Sequence, residues 1–182
     1  MSAIEFGSIS VDERATIMES IDTLLGKDVA SNVIGRLEIV VARGKRTELF
    51  LVPAEVMNVF KRTRNRRNPY CLGIYLGDLK NDDLLLSIEG ITLCSPYTEK
   101  KVKVSDKGEQ SVLYGRDISR ALVDDYPSSI TKGDRVVVVN RLGEPLALGK
   151  ALIDGDKFRN SDVSLCVLEN ILDRGWYLRK GK

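Results

Sequence analysis

The sequence predicts an α+β chain of two domains, a mixed domain with an antiparallel sheet over residues 1–96 and a small β-barrel over residues 97–182. Three observations predict it. A helix-start signature and helical apolar spacing open the chain. Alternating, turn-separated runs follow, as expected of hairpins. Beyond Ser95-Pro96-Tyr97 the segments become short, β-rich and closely spaced, as in a closed or nearly closed barrel.

The elements follow in order. Ser10-Val-Asp-Glu13 has the spacing of a capping box, and Ile17, Ile21, Leu24 and Leu25 recur at helical intervals up to Gly26. From Ile34 the pattern alternates through Leu37, Ile39 and Val41, turns at Arg43-Gly44-Lys45 and returns through Leu49 to Val52, which predicts a hairpin. Pro53 suits a first helical position and opens a short helix from Ala54 to Phe60. Tyr70–Leu76 and Leu84–Ile88 read as strands separated by a turn over Gly77–Asp83. In the second domain the expected order is a strand at Lys101–Ser105, a helical turn around Glu109–Tyr114 and a strand near Ile118–Val123. The β-branched strand Arg135–Val139 follows, and then strands at Leu146–Leu152, Ser164–Leu168 and Trp176–Arg179.

Composition narrows the function. With 43% hydrophobic residues the chain can fill its cores. No run approaches about eighteen apolar residues and Met1–Glu5 lacks a signal-peptide pattern, so a soluble intracellular protein with no membrane partner is expected. Cys71, Cys94 and Cys166 are odd in number and far apart, and read as reduced core thiols. Histidine is absent, which removes the commonest general base and metal ligand. No metal and no cofactor is expected.

Charge is uneven although the net value is only +2. Residues 1–60 carry six Lys/Arg against nine Asp/Glu, whereas residues 61–67 hold five cations, Lys61, Arg62, Arg64, Arg66 and Arg67, in a predicted exposed loop. Such a run supplies sequence-independent phosphate contacts. It also has the composition of a nuclear-localisation patch or of a solvated loop.

The string Lys132-Gly-Asp-Arg-Val-Val-Val-Val139, a hairpin, and Leu146-Ala-Leu-Gly-Lys-Ala151 resemble the core of the PUA domain, a barrel that binds structured RNA. Glu109-Gln-Ser-Val-Leu-Tyr-Gly115 and the tail Gly175-Trp-Tyr-Leu-Arg179, read as a final strand, are similar to the ribosome-biogenesis family whose yeast member is called nuclear-import protein seven. The order of Phe50–Met57, Leu72–Gly77 and Leu93–Tyr97 extends the resemblance over roughly residues 35–180. It implies an RNA-binding, non-catalytic factor for the large ribosomal subunit, in contact with ribosomal RNA or the pre-ribosomal particle and with other processing proteins. Zero histidine and 30% charged residues lean toward an archaeal, cytoplasmic member, nucleolar if eukaryotic, and a monomer is expected.

Within that frame Arg116, Arg120, Lys150, Lys157 and Arg159 are candidate RNA contacts, and Gly115 reads either as a close-approach point for RNA or as a helix C-cap. Trp176 and Tyr177 are candidate stacking residues, one of them expected in the barrel core. The segment Leu165–Leu172 carries no cation, where some archaeal relatives place basic side chains. The enzymatic alternatives lack motifs: there is no GxGxxG and no P-loop. Asp78, the nearest candidate for a pseudouridine synthase aspartate, reads as part of a Gly-Asp turn. A general RNA-binding adaptor is the other alternative.

Overall fold

The computed structural model describes residues 5–35, 37–63, 69, 71–80 and 83–179. The chain divides into two compact units, one of Met1–Thr23 with Lys27–Tyr97 and the other of Leu24–Gly26 with Thr98–Lys182.

The first unit is a five-stranded antiparallel sheet in chain order: β1 (Glu5–Ser8), β2 (Glu38–Arg43), β3 (Thr47–Val52), β4 (Ile74–Lys80) and β5 (Asp83–Leu86). Helix α1 (Val11–Leu25) starts on the predicted capping box, in which Ser10 N donates to Glu13 Oε2 at 2.7 Å and Glu13 N to Ser10 Oγ at 3.1 Å. Helix α2 (Val29–Ile34) follows. The central strands are buried on both faces, Val40 pairing with Phe50 and Val41 with Leu49. One face gathers Val40, Phe50, Val52, Met57 and Leu72, with the Phe6 and Tyr75 rings within 6 Å of Phe50.

Several expectations for this unit change. Helix α3 (Ala54–Thr63) runs past Phe60, so Lys61 and Arg62 form its last turn, where cations complement the dipole, and are not loop residues. Arg64, Arg66 and Arg67 lie outside the described residues, as does Tyr70. Strand β4 begins at Ile74 and continues through the supposed turn to Lys80, so Asp78 is a strand residue. Ile88 opens a helix, α4 (Ile88–Cys94), whose N-cap Ser87 accepts the Gly90 N–H at 2.9 Å. Cys94 is buried there, its thiol pushed up to about 12 by desolvation and then by Asp22, whereas Cys71 is exposed and no core thiol.

The second unit carries a six-stranded sheet with the order β7-β11-β10-β9-β6-β8. Its strands are β6 (Lys101–Val104), β7 (Ile118–Ser119), β8 (Val123–Asp125), β9 (Arg135–Val139), β10 (Pro145–Ala151) and β11 (Cys166–Asp173). Only β6 and β9 pair in parallel; the other pairings are antiparallel. The strand predicted near Ile118–Val123 is two short strands at opposite edges of the sheet, joined by a 3₁₀ turn at Arg120–Leu122. The break lets one segment leave one edge and join the other, which brings the sheet near closure. The backbone N–H groups freed at the break donate to Leu165 O and Val163 O. Val102, Val104, Val136, Val138, Val167 and Leu168 fill the interior. Helix α5 (Asp106–Leu113) is capped by Ser105, and a short turn, α6 (Gly155–Phe158), follows β10.

Two further expectations fail here. The strand placed at Ser164–Leu168 starts at Cys166 and runs to Asp173. The tail is not a final strand but a helical turn, α7 (Trp176–Arg179), with both Trp176 and Tyr177 on the surface and neither in the core.

Asp134 ties the start of β9 to the chain before it. Burial opposes its ionisation, but the Thr131 N–H (2.8 Å), the Lys100 ammonium (3.0 Å) and the Thr131 hydroxyl (2.9 Å) outweigh it and hold the carboxyl below its ordinary 3.8. A depressed folded value contributes stability above the ordinary value and loses it as pH falls through the depressed one. The gap in thermal midpoint between the native chain and Asp134→Asn should therefore hold from neutral pH to about 4 and close below it. A gap that widens on acidification would contradict the assignment.

Candidate nucleic-acid interface

Gly115 determines the geometry at the end of α5. It takes φ +75°, with its N–H on Val112 O at 2.8 Å and the Arg116 N–H on Ser111 O at 3.0 Å. These two bonds are a Schellman cap, so the helix-end reading of Gly115 accounts for the residue. A Cβ there would also lie 2.8 Å from the Arg179 guanidinium. That guanidinium fits the vacant space, donating to the Leu113 carbonyl and to both oxygens of the buried Asp173, at 2.9 and 2.7 Å. The Asp173 hydrogen bond is the main cause that holds Arg179 protonated even more firmly than an ordinary arginine. The two-pronged pair anchors α7 beside the C-terminus of α5, and Gly175 has no Cβ because one would meet the Leu113 carbonyl.

Between the two helix ends lies a groove of about 540 Å³ lined by Gln110, Leu113, Tyr114, Gly175, Leu178 and Arg179. Two of its side chains are largely exposed, Tyr114 at 68% and Leu178 at 84%, and Tyr177, 56% exposed, precedes Leu178 on α7. The Arg116 guanidinium lies over the Tyr114 ring at 5.7 Å, and Trp176 meets Tyr177 edge-on at 5.1 Å. Exposed rings beside cations offer faces for unpaired bases and donors for phosphates.

The remaining predicted cations fall into separate places. Arg120 donates from Nε to Phe158 O (3.0 Å) and from Nη2 to Arg159 O (2.9 Å), over the Phe158 ring at 5.6 Å. It thereby closes the C-terminal end of α6, next to Lys157 and Arg159. Lys157 pairs with Asp154 at 2.6 Å, and that hydrogen bond is the first cause both of the raised Lys157 pKa and of the lowered Asp154 pKa. Lys150 lies on β10 between Arg135 and Glu169 across the strands and reaches Glu169 at 3.8 Å. Lys61 reaches Glu38 at 4.0 Å, and Arg62 is exposed on α3. Asp78 accepts the Tyr75 hydroxyl at 2.7 Å, a bond that adds to burial, the larger cause, in pushing the Tyr75 pKa above its ordinary value.

Among the described residues no group of three His, Cys, Asp or Glu side chains is disposed to hold a metal ion, and no helix is long and apolar enough to cross a membrane. The sequence reading missed Tyr114, Asp173, Leu178 and Arg179. One signal for the tail was available: Trp176-Tyr177-Leu178 places three large apolar side chains in succession, and a strand would turn only alternate ones inward.

Residues 100–182 match the UPF0113 PUA domain model. A UPF0113 protein of Aeropyrum pernix is 32% identical over 143 residues, 76% of this chain and 72% of that one. The 60S ribosome subunit biogenesis protein NIP7 homolog of Dictyostelium discoideum is 25% identical over 171 residues, 92% and 94% of the two chains. Among solved structures, a conserved PUA domain protein from Thermoplasma acidophilum superposes with a TM-score of 0.61 at 17% identity, covering 97% of this chain and 99% of that one.

Proposed function

The chain belongs to the UPF0113 family, and we propose that it binds structured RNA through its PUA unit and serves, without catalysing a reaction, in assembly of the large ribosomal subunit. The groove between α5 and α7 carries the reading. Tyr114 and Leu178 are exposed in the groove, Arg116 lies over the Tyr114 ring, and Trp176 and Tyr177 are exposed on α7, which suits splayed bases stacking while phosphates meet cations. Likeness to the NIP7 homolog over nearly the whole of both chains supports the ribosomal role. The relevant setting is a pre-ribosomal particle with other processing proteins, in the cytoplasm of an archaeal cell, entered as a monomer.

Arg116, Lys150, Lys157 and Arg159 are the phosphate contacts of this proposal. Arg120, placed among the RNA contacts by its sequence position, is the residue that holds α6 so that its neighbours are presented. Lys61, Arg62, Arg64, Arg66 and Arg67 form a second footprint. Changing Arg62, Arg64, Arg66 and Arg67 together to Gln should weaken RNA binding at every sequence and flatten the log–log salt dependence, because lost phosphate contacts release fewer counterions. An unchanged slope removes the run from the footprint.

The deciding experiment is crosslinking in the native cell with sequencing of the bound RNA. Large-subunit precursor RNA joined to Arg116, Lys157, Arg159 or residues 61–67 is the expected result. Reads dominated by messenger or transfer RNA would replace the ribosomal role with that of a general RNA-binding adaptor.

A further inference from the structure

The turn between β2 and β3 and the far end of β4 enclose a second cavity, of about 570 Å³, in the first unit. Among the described residues its cations are Lys45, Arg46 and Lys80, and its acidic side chain is Asp78. This concentration stands out against the acidic balance of residues 1–60, where Lys45 and Arg46 are two of only six cations. The turn is closed by a hydrogen bond from Gly44 N to Arg46 O at 3.0 Å, and β3 pairs Thr47 with Leu79, so two cations project from one rigid tip and the third from the neighbouring strand.

The charges are available. Lys45 and Lys80 pair with no carboxylate among the described residues. Arg46 reaches Asp78 only at 3.7 Å and is 77% exposed, a solvated pair that gives way readily to a better anion. Asp78 keeps its bond to the Tyr75 hydroxyl if Arg46 leaves. Beside the cations Leu85, 54% exposed, pairs across the strands with Asp78 and shares its face, whereas Leu79 pairs with Leu84 on the other face. Three cations around an open cleft of this volume suit the phosphates of a bound chain segment.

We propose that this cleft is a further RNA site, which takes the phosphodiester backbone of a single-stranded segment on Lys45, Arg46 and Lys80 and sets one base or ribose on Leu85. The inference rests on the RNA-binding reading of the PUA unit: a chain whose one unit takes a polyanion gains from a second contact to the same strand, because the second binding step is then intramolecular. Its cations are distinct from residues 61–67 and from those around α5 and α6.

The test uses the full chain and a short fluorescent oligouridylate, with affinity measured across a salt series. The native chain is compared with Lys45→Gln/Arg46→Gln/Lys80→Gln and, separately, with Tyr114→Ala in the PUA groove. Every changed side chain is on the surface, and a thermal melt confirms the fold. Three lost phosphate contacts flatten the single-strand salt slope by about 2.1, which is a loss on the order of a hundredfold at about 0.1 M salt. An unchanged slope in the triple variant, with binding weakened by Tyr114→Ala, overturns the further site and leaves the PUA reading standing. No binding by the native chain overturns both. If the triple variant loses binding to polyglutamate but keeps its RNA affinity, the cleft is a docking site for an acidic protein and the proposal falls.

Discussion

Replacing Gly90 with alanine should destabilise the first unit by about 2 kcal/mol, although helix propensity alone predicts a gain of about 1 kcal/mol for Gly→Ala inside a helix. The added Cβ would meet the Leu76 carbonyl oxygen of β4, with the Leu76 carbonyl carbon and Cδ1 both at 3.3 Å. These atoms have little freedom, because the same carbonyl accepts the Ser87 N–H at 2.9 Å and Leu76 is fully buried. Crowding of a packed core typically costs about 1–3 kcal/mol, and a fixed backbone atom puts this site at the upper end. For a chain of this size each kcal/mol moves the thermal midpoint by about 2–4 °C, so a fall of roughly 4–8 °C is expected. A midpoint that rises, as propensity requires, would show that α4 does not approach β4 as described.

Gly90 also explains why α4 was not legible. Ser87-Ile-Glu-Gly90 lacks the acidic residue of a capping box at its fourth position and carries a poor helix former there, while Leu84-Leu85-Leu86 before it continues a strand pattern. Tertiary fit selects glycine at that position, and local propensity registers it as a break. By contrast, α1 and the β2–β3 hairpin were readable because their signals are local: a reciprocal cap, an apolar stripe and alternation about a glycine turn. The split of Ile118–Asp125 into β7 and β8 depends on which strands occupy the two edges of the sheet, and no periodicity within the segment records that. Gly77 misled in the other direction. It reads as a turn residue, yet it lies within β4, where a Cβ would meet the Leu85 backbone.

The candidate site was legible in its charges and not in its shape. Arg116 stood out by residue type beside a glycine, and the fold sets its guanidinium over the Tyr114 ring, a neighbour that residue type did not disclose. Arg120 stood out equally, yet its guanidinium closes α6, since a cation in sequence does not disclose whether nearby carbonyls already claim its donors. Arg179 shows the converse. It lies in a tail assigned to a strand, and only the fold brings it to Asp173 and to the last carbonyls of α5, where it forms one wall of the groove.

The groove separates stacking from charge in a way that can be measured. Changing Tyr114 and Tyr177 to alanine should each weaken binding of single-stranded RNA by about 1–3 kcal/mol, the worth of one base on one ring, and together by on the order of a hundredfold or more. Neither residue is charged at neutral pH, so the log–log salt slope should stay where it is. Arg116→Gln should do the opposite, flattening the slope by about 0.7 with a smaller loss of affinity, less whatever order Tyr114 loses when the cation leaves its face. Tyr114→Phe and Tyr177→Phe keep a ring and should restore most of the affinity, which a loss of local folding would not allow. The same salt titrations on all six variants, the double alanine variant included, supply the readout. If both alanine variants bind as the native chain does, bases do not stack at the α5–α7 groove, and phosphate contacts elsewhere on the PUA unit must carry its RNA binding.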